Sequence, residues 1–312
     1  MNEDIVIQSL NISFRDKQRI VPVVRDVNVT FHAGTVTGLI GESGSGKSVL
    51  GMSILRLLPA SAKVEGTCLY GGRDLYRLTE KEMCKVRGQQ IGLIPQNPTE
   101  SLNPVRTVGR QLTECVTIHR PGEKKAAEER RNTLLARFGF AQPDKINRAY
   151  SFQLSGGMNQ RVVSAMGLMS KPEWIIADEP TKGLDAILRK QVYSVLREIS
   201  ETETKGMILI THDISLAGAI CDRLLVLYKG MLLEQGNTRD ILSSPLHPYT
   251  KGLLASLPER GMHPIRRANQ QFDCIGCGFC PRCEYATERC RREIPPETVV
   301  DGGRIVRCFL YA

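Results

Sequence analysis

Eight consecutive residues have the composition of a phosphate-binding loop, and they read Gly41-Glu42-Ser43-Gly44-Ser45-Gly46-Lys47-Ser48. Glycines let backbone N–H groups wrap phosphate oxygens, Lys47 supplies a positive charge, and Ser48 offers a hydroxyl to Mg²⁺. A short apolar run at residues 36–40 precedes the loop, and a helical pattern at residues 49–58 follows it. A strand, this loop and a helix form the context that such a motif requires. The sequence therefore predicts nucleotide binding through Gly41, Ser43, Gly44, Gly46, Lys47 and Ser48.

Two carboxylates end a second apolar segment, which reads Trp174-Ile175-Ile176-Ala177-Asp178-Glu179-Pro180. A carboxylate at the end of such a strand can hold Mg²⁺ beside a phosphate loop, and we assign that role to Asp178, together with Ser48. Glu179 is then placed to accept a proton from attacking water, because a general base must lie within hydrogen-bond reach of the nucleophile. The pair predicts hydrolysis of the nucleotide in addition to binding.

A serine and two glycines precede a helical pattern in what we call the signature segment, Leu154-Ser155-Gly156-Gly157-Met158-Asn159-Gln160-Arg161. A helix N-terminus offers unpaired N–H groups and the positive end of a dipole, so Ser155 and Gly157 can contact a phosphate. A third apolar strand, at residues 207–210, leads to His212. The order of these four motifs along the chain resembles that of the ATP-binding-cassette (ABC) ATPases.

This resemblance implies roles for further residues. His212 is similar to the switch histidine, which contacts the γ-phosphate and orients the attacking water. Gln96 is similar to the glutamine that touches Mg²⁺ and water and reports the nucleotide state to the membrane subunit. Asp185 looks like the D-loop aspartate, although Lys182-Gly183 departs from the Ser-Ala common in the family. By position Phe14 is the candidate for stacking on adenine, and a core phenylalanine in a strand is the equal alternative.

The resemblance covers roughly residues 4–255 and implies the elements that must position these side chains. It implies an α/β fold, the P-loop NTPase ABC cassette, with a RecA-like core, an N-terminal antiparallel β subdomain and a helical subdomain at about residues 97–165. We expect the cassette at residues 1–255 and a small Cys-rich C-terminal extension at residues 256–312. In the family two cassettes dimerise head to tail, so the signature segment is expected to complete the ATP site of a partner.

Composition and charge limit the classes of function. Of the 312 residues, 41% are hydrophobic and 24% are charged, which are ordinary values for a globular protein. We expect neither a transmembrane segment nor a secretory leader. The net charge is +9, but Lys and Arg are spread along the chain, and the densest run, residues 120–131, predicts a solvated helix face. Nucleic-acid binding is therefore not expected, and a soluble ABC ATPase acting on nucleic acid or the ribosome is the alternative function.

Three segments narrow the resemblance: residues 97–109, residues 245–254 with the sequence Pro-Leu-His-Pro-Tyr-Thr, and the Cys-rich tail. Together they resemble the ATP-binding subunits of oligopeptide, dipeptide and nickel importers. This implies a bacterial or archaeal ATPase that couples ATP hydrolysis to import at the cytoplasmic face of the cell membrane. The expected partners are a paralogous ABC ATPase subunit in a heterodimer, two membrane permease subunits and an extracytoplasmic solute-binding protein.

Six of the ten cysteines lie in the last forty residues. Without a secretion signal, such a group favours a metal ion or a cluster over disulfides. Some members of the importer family hold a [4Fe–4S] cluster there, which implies four ligands: Cys277, Cys283, Cys290 and Cys308. Cys274 and Cys280 are alternative ligands, because their spacing to Cys277 resembles the start of a ferredoxin motif. Zinc is the chemical alternative. The polar residues 256–273 predict a linker before the cysteines.

Overall fold

The structure is a computed structural model, and it describes residues 3–17, 19–265 and 274–312. Strands and helices alternate along much of this part of the chain, which is typical of an α/β protein. Its strands are β1 (Ile5–Asp16), β2 (Arg19–Phe31), β3 (Val36–Ile40), β4 (Ala62–Tyr70), β5 (Arg73–Asp74), β6 (Ile91–Ile94), β7 (Trp174–Asp178), β8 (Gly206–Ile210), β9 (Arg223–Tyr228), β10 (Met231–Asn237), β11 (Thr298–Val300) and β12 (Arg304–Val306).

Along the chain, most helices follow one strand and precede the next. They are α1 (Lys47–Ile54), α2 (Glu80–Val86), α3 (Pro98–Ser101), α4 (Val108–Thr117), α5 (Lys124–Arg137), α6 (Pro143–Arg148), α7 (Gly156–Gly167), α8 (Ala186–Thr202), α9 (Ile214–Ile220), α10 (Thr238–Ser243), α11 (Pro248–Ala255) and α12 (Glu288–Arg292). No helix in the described ranges is both long enough and apolar enough to cross a bilayer.

The chain divides into two compact units, each assembled from separate segments. The first unit consists of Met1–Asp4, Phe31–Val36 and Tyr70–Ile210. The second unit consists of Ile5–Thr30, Thr37–Leu69 and Thr211–Ala312.

The first unit contains a parallel sheet with the strand order β6, β7, β8. Every residue of β7 and β8 is buried, as expected for parallel strands covered on both faces. Gly206 starts β8 opposite Trp174, and a Cβ at this glycine would lie 2.7 Å from the indole ring. The close packing of the ring on β8 therefore requires glycine at this position.

Helices α3 to α7 form the helical part of the first unit, and α7 packs against α3, α4 and α5. The solvated helix face predicted at residues 120–131 is only partly correct, because α5 begins at Lys124 and its arginines turn inward. Arg130 donates hydrogen bonds to the Leu168 carbonyl (2.8 Å) and the Glu203 carboxylate (2.9 Å). This part of the basic surplus thus holds helices together.

The second unit contains the strands β11, β12, β10, β9 and β3 in that order. Strands β9 and β3 are parallel, whereas β9–β10, β10–β12 and β11–β12 are antiparallel pairs. A separate sheet has β2, β1 and β4 as neighbours and corresponds to the predicted N-terminal antiparallel subdomain. The predicted strand at residues 36–40 is confirmed as β3, which is buried at every position.

The C-terminal segment, by which we mean residues 248–265 and 274–312, contributes β11 and β12 to the sheet of the second unit. Strand β12 pairs with β10, with Val306 opposite Glu234. The adjacent Arg307 is buried and donates to the carboxylates of Asp26 (3.2 Å) and Glu297 (2.8 Å). The segment therefore packs on the second unit through ordinary backbone pairing and ion pairs. Of the predicted linker, residues 266–273 lie outside the described residues.

Candidate nucleotide-binding site

The loop between β3 and α1 needs its glycines for reasons of space and backbone conformation. Gly41 has φ 148°, and a Cβ there would lie 2.1 Å from the Leu227 carbonyl oxygen. Gly46 has φ 102°, and its Cβ would lie 2.9 Å from the Val23 carbonyl. Because L side chains rarely adopt these conformations, glycine at these two positions allows the chain to form a tight loop between β3 and α1.

Lys47 braces the loop from inside. Its side chain is buried, and Nζ donates to the carbonyl oxygens of Gly41 and Glu42, at 2.9 Å each. Lys47 opens α1, which begins two residues earlier than its apolar pattern suggested and ends at Ile54 rather than residue 58. Arg56, with φ 52°, follows the end of the helix in the left-handed region. The early start places Lys47 and Ser48 in the first turn, where anions bind helices.

Asp178 is the last residue of β7, and Glu179 follows directly after the strand. Both are buried, at 4% and 7% exposure. The Glu179 N–H donates to the Ile210 carbonyl at the end of β8 (2.9 Å), and the residue has φ 49°. A non-glycine residue in this region is uncommon and marks a constrained position. The strand end thus presents two adjacent carboxylates on a fixed backbone, which suits a metal ligand next to a base.

His212 follows β8 in the second unit and is exposed. Its neighbours are fixed: the Thr211 N–H donates to the Leu39 carbonyl (3.2 Å), and Asp213 caps α9 by accepting from the Leu216 N–H (3.0 Å). The imidazole is therefore carried on a short, anchored turn. Phe14 in β1 of the same unit is half-buried and does not belong to the buried core.

The signature segment lies at the N-terminus of α7 in the first unit. Ser155 is the cap of this helix and accepts from the Met158 N–H (3.3 Å), and both Ser155 and Gly156 are exposed. Gly157 packs against Leu184, since a Cβ there would lie 3.0 Å from a Leu184 methyl group. The segment therefore offers an open helix N-terminus that is held in place from behind.

Two other predicted site residues of the first unit have clear local positions. Gln96 lies half-buried two residues after β6, which ends at Ile94. Asp185 caps α8, where one carboxylate oxygen accepts from the N–H groups of Ile187 (3.0 Å) and Leu188 (2.9 Å). A helix cap is a structural role that the sequence Asp-Ala-Ile-Leu itself indicates.

Five of the clustered cysteines line one cavity of about 160 Å³ in the second unit: Cys277, Cys280, Cys283, Cys290 and Cys308. Cys274 does not line it and contacts Cys280. Burial raises the pKa of the Cys277 thiol to about 11, so this thiol is neutral at pH 7 unless a cation binds. Among the described residues, no group of three or more His, Cys, Asp or Glu side chains is arranged to hold a metal ion.

His247 also lines the cysteine cavity, and the sequence analysis assigned it no role. Its Nδ1 accepts from the Tyr249 N–H (2.9 Å), and burial lowers its pKa to about 3. The imidazole is therefore neutral and carries its proton on Nε2, which has no hydrogen-bond partner among the described residues. His247 belongs to the Pro-Leu-His-Pro-Tyr-Thr segment. The resemblance of this segment to the importer subunits was the sequence signal that could have pointed to the residue.

The loop, the carboxylate pair and the signature segment define a class of nucleotide-hydrolysing cassettes. Residues 24–182 match the model of the ABC transporter family, and residues 233–290 match that of the oligopeptide/dipeptide transporter C-terminal region. The chain belongs to the ABC transporter family. It is an ABC-type ATPase, and it is related to the ATP-binding subunits of peptide transporters.

The similarity to characterised relatives runs along the whole chain. The chain is 37% identical to the oligopeptide transport ATP-binding protein AppD of Bacillus subtilis, over 100% of this chain and 98% of that protein. It is also 37% identical to the dipeptide transport ATP-binding protein DppD of Escherichia coli, over 97% and 95%. Among solved structures, the dimer of the bacterial ABC transporter cassette MJ0796 matches with a TM-score of 0.68 and 25% identity, over 75% of this chain and 99% of that one.

Proposed function

We propose that this chain is the ATP-hydrolysing subunit of an ABC importer for dipeptides or oligopeptides. The observation that carries the proposal is the match of residues 233–290 to the oligopeptide/dipeptide transporter C-terminal region. The names of the relatives, which are oligopeptide and dipeptide transport ATP-binding proteins, support the same substrate class. Nickel or a nickel chelate is the competing cargo. No feature of the C-terminal match favours a soluble ATPase acting on nucleic acid or the ribosome.

The family resemblance supports a division of roles at the ATP site. Lys47 would exchange its loop carbonyls for the β- and γ-phosphates, while Ser48, Asp178 and Gln96 would hold Mg²⁺. Glu179 takes the proton of the attacking water, and the anchored His212 orients that water at the γ-phosphate. These roles rest on the buried position of Lys47 and of the two carboxylates. The half-buried Phe14 is the proposed stacking partner of adenine, and Asp185 acts at this site mainly by fixing the start of α8.

The exposed signature segment supports a head-to-tail dimer of cassettes. Ser155 and Gly157 would then complete the ATP site of a second cassette, and a paralogous ATPase subunit is the proposed partner. The full assembly would also contain two membrane permease subunits and an extracytoplasmic solute-binding protein, with this chain bound peripherally at the cytoplasmic face of a bacterial or archaeal membrane. Val105 and Ile118, which flank α4, have exposed apolar side chains. Such side chains support a contact between this part of the chain and another protein.

Reconstitution tests this function. The chain, its paralogue and the permeases encoded beside it are purified together and placed in proteoliposomes with the solute-binding protein. Peptide-loaded binding protein is expected to stimulate ATP hydrolysis and to drive peptide across the bilayer, from the side of the binding protein to the side on which this chain is bound. Stimulation by nickel alone would replace the cargo assignment. Co-purification with ribosomes or DNA in place of the permeases would overturn the transporter assignment.

We further propose that the C-terminal extension, residues 256–312, binds a [4Fe–4S] cluster, with zinc as the alternative. The chemistry of the donor set supports this proposal, because the four expected ligands line one cavity: Cys277, Cys283, Cys290 and Cys308. Cys280 is the alternative ligand at the cavity wall, and Cys274 is less favoured. A bound cluster or zinc ion supplies the positive charge that keeps buried thiolates ionised. The unpartnered Nε2–H of His247 can then donate to the negative charge on sulfur.

Metal and sulfide analysis of anaerobically purified protein tests this proposal. We expect about four iron atoms and four sulfide ions per chain, with an absorbance band at about 400 nm. Simultaneous serine substitution of the four expected ligands should remove both, whereas Cys274→Ser should leave them unchanged. Colourless protein with one zinc per chain would assign the site to zinc. Protein with neither metal would contradict both assignments.

A further inference from the structure

Glu42, the second residue of the phosphate loop, is held by the C-terminal segment at two of its polar groups. Its backbone N–H donates to the Tyr249 hydroxyl (3.0 Å). Its carboxylate accepts from Arg282 (2.9 Å). Its carbonyl oxygen accepts from Lys47 (2.9 Å), which belongs to the loop itself. One loop residue is thus fixed both by the phosphate-binding lysine and by two residues that lie more than 200 positions along the chain.

Tyr249 is well suited to act as a fixed anchor. It is fully buried in α11, and its ring packs against those of Tyr228 and Phe279, with centroids 4.6 and 5.4 Å away. Burial raises the pKa of its hydroxyl, so the group stays protonated. Its N–H is bound by His247 at the start of the same helix. The hydroxyl that accepts the Glu42 N–H therefore cannot move without disturbing an aromatic cluster.

Arg282 reaches the loop from a short turn between Cys280 and Cys283, which both line the cysteine cavity. Its guanidinium lies 5.8 Å from the Tyr228 ring centroid and 5.9 Å from that of Phe279. Only 17% of its side chain is exposed. Burial lowers the pKa of Arg282, but the hydrogen bonds to Glu42 and Tyr228 outweigh this effect and raise it. The guanidinium is thus a held, permanent charge beside the loop.

Glu42 and Arg282 line a cavity of about 440 Å³ beside the phosphate loop. Its lining consists of Glu42, Ser43, Gly44, Ser45, Tyr228, Lys229, Ile265 and Arg282. A Cβ placed at Gly44 would meet nothing within 4 Å, so the loop is open to this cavity at that position. The contacts of Glu42 therefore fix one side of a loop that is open at Gly44.

We propose that Arg282 and Tyr249 are positioning residues of the ATP site, which hold Glu42 and thereby the phosphate loop in its binding conformation. The C-terminal segment then acts on nucleotide affinity through this chain's own loop. The inference rests on the proposed binding of ATP at residues 41–48. It explains why the cysteine turn carries an arginine whose partner lies in the loop, and why a tyrosine follows the His-Pro pair.

Arg282→Ala and Tyr249→Phe test the proposal. Each variant removes one contact to Glu42, and Tyr249→Phe keeps the packed ring. Loss of one partly buried ion pair or hydrogen bond predicts about fivefold weaker binding of Mg·AMP-PNP and an equal rise in the KM for ATP, with kcat changed less than about twofold. Hydrogen exchange of the amides of residues 41–46 is expected to accelerate in both variants. Arg282→Lys should restore much of the affinity, because it keeps a charge within reach of one carboxylate oxygen.

The matched control is Arg292→Ala, which removes an arginine of the same segment that is 74% exposed and pairs with the exposed Glu288. This variant should match the parent in affinity and exchange. A double-mutant cycle adds Glu42→Gln: if Arg282 acts through Glu42, the double variant should bind AMP-PNP no more weakly than Arg282→Ala alone. Glu42→Gln also leaves the C-terminal segment intact, so it tests the contact even if Arg282→Ala unfolds that segment.

The two proposals fail in different ways. If Lys47→Ala abolishes nucleotide binding while the Arg282, Tyr249 and Glu42 variants match the parent in affinity and in amide exchange, the positioning role is wrong and the ATP site stands. If Lys47→Ala also leaves nucleotide binding unchanged, the assignment of ATP to this loop is wrong. Strictly additive effects in the double-mutant cycle would show that Arg282 does not act through Glu42.

Discussion

Two glycine-containing turns precede helices in this protein, and they are built differently. The phosphate loop before α1 is braced by the buried Lys47, which holds two loop carbonyls, and by the close approach of Gly41 to Leu227. The signature segment before α7 is exposed at Ser155 and Gly156, and the Ser155 hydroxyl caps the helix by accepting from the Met158 N–H. A glycine-containing turn before a helix can therefore bind phosphate in two ways. A braced loop can enclose its own ligand, whereas an exposed helix N-terminus suits a ligand held by another chain.

The largest expected effect is on hydrolysis, and it comes from a residue that lies outside both turns. Glu179→Gln removes the proposed base without touching either phosphate-contacting segment. We expect hydrolysis to slow by about 10²- to 10⁴-fold. ATP binding should be retained, so the head-to-tail dimer of ATP-bound cassettes should accumulate. Phosphate release and size-exclusion chromatography with ATP measure the two properties. Turnover at the parent rate would show that the base lies elsewhere.

The glycines of the two turns should differ in their effect on stability. Gly41→Ala forces a Cβ to within 2.1 Å of a backbone oxygen at φ 148°, so we expect it to lower the free energy of unfolding by about 3 kcal/mol. Gly156→Ala meets nothing within 4 Å, and its effect should stay within about 0.5 kcal/mol. Urea denaturation of the two variants measures the difference. Equal effects would remove the structural contrast between the turns.

The lysine sharpens the contrast in ligand binding. Lys47→Ala removes a charge-assisted contact to phosphate and also releases two loop carbonyls, so we expect about 100-fold weaker ATP binding to this chain. Calorimetric titration with Mg·AMP-PNP measures this affinity. Lys63→Ala, at a lysine with 68% exposure, is the control and should bind like the parent. Parent-like binding by Lys47→Ala would contradict a braced loop that encloses its own nucleotide.

The parts of this molecule that can be predicted from the sequence are those that local residue patterns specify. The strand at residues 36–40, the carboxylates at the end of β7 and the serine before α7 all follow from residue types within a few positions. Asp185 is assigned to the D-loop by resemblance alone, and its carboxylate caps α8, a role that the local sequence also indicates. The contact between Glu42 and Arg282 joins residues 240 positions apart. No periodicity or motif connects such residues, and only the tertiary packing of the aromatic cluster brings them together.

The most direct test of this account measures two properties of Ser155→Ala in the same samples: ATP affinity of the isolated chain, and ATP-dependent association with its partner cassette. The account predicts ATP affinity within about twofold of the parent, since the own-chain site depends on Lys47, and association weakened about tenfold, since a charge-assisted hydrogen bond is worth about 1.5 kcal/mol or more. If Ser155→Ala instead lost ATP binding on its own chain and still associated normally, the signature segment would belong to the chain's own site, and the central claim would be contradicted.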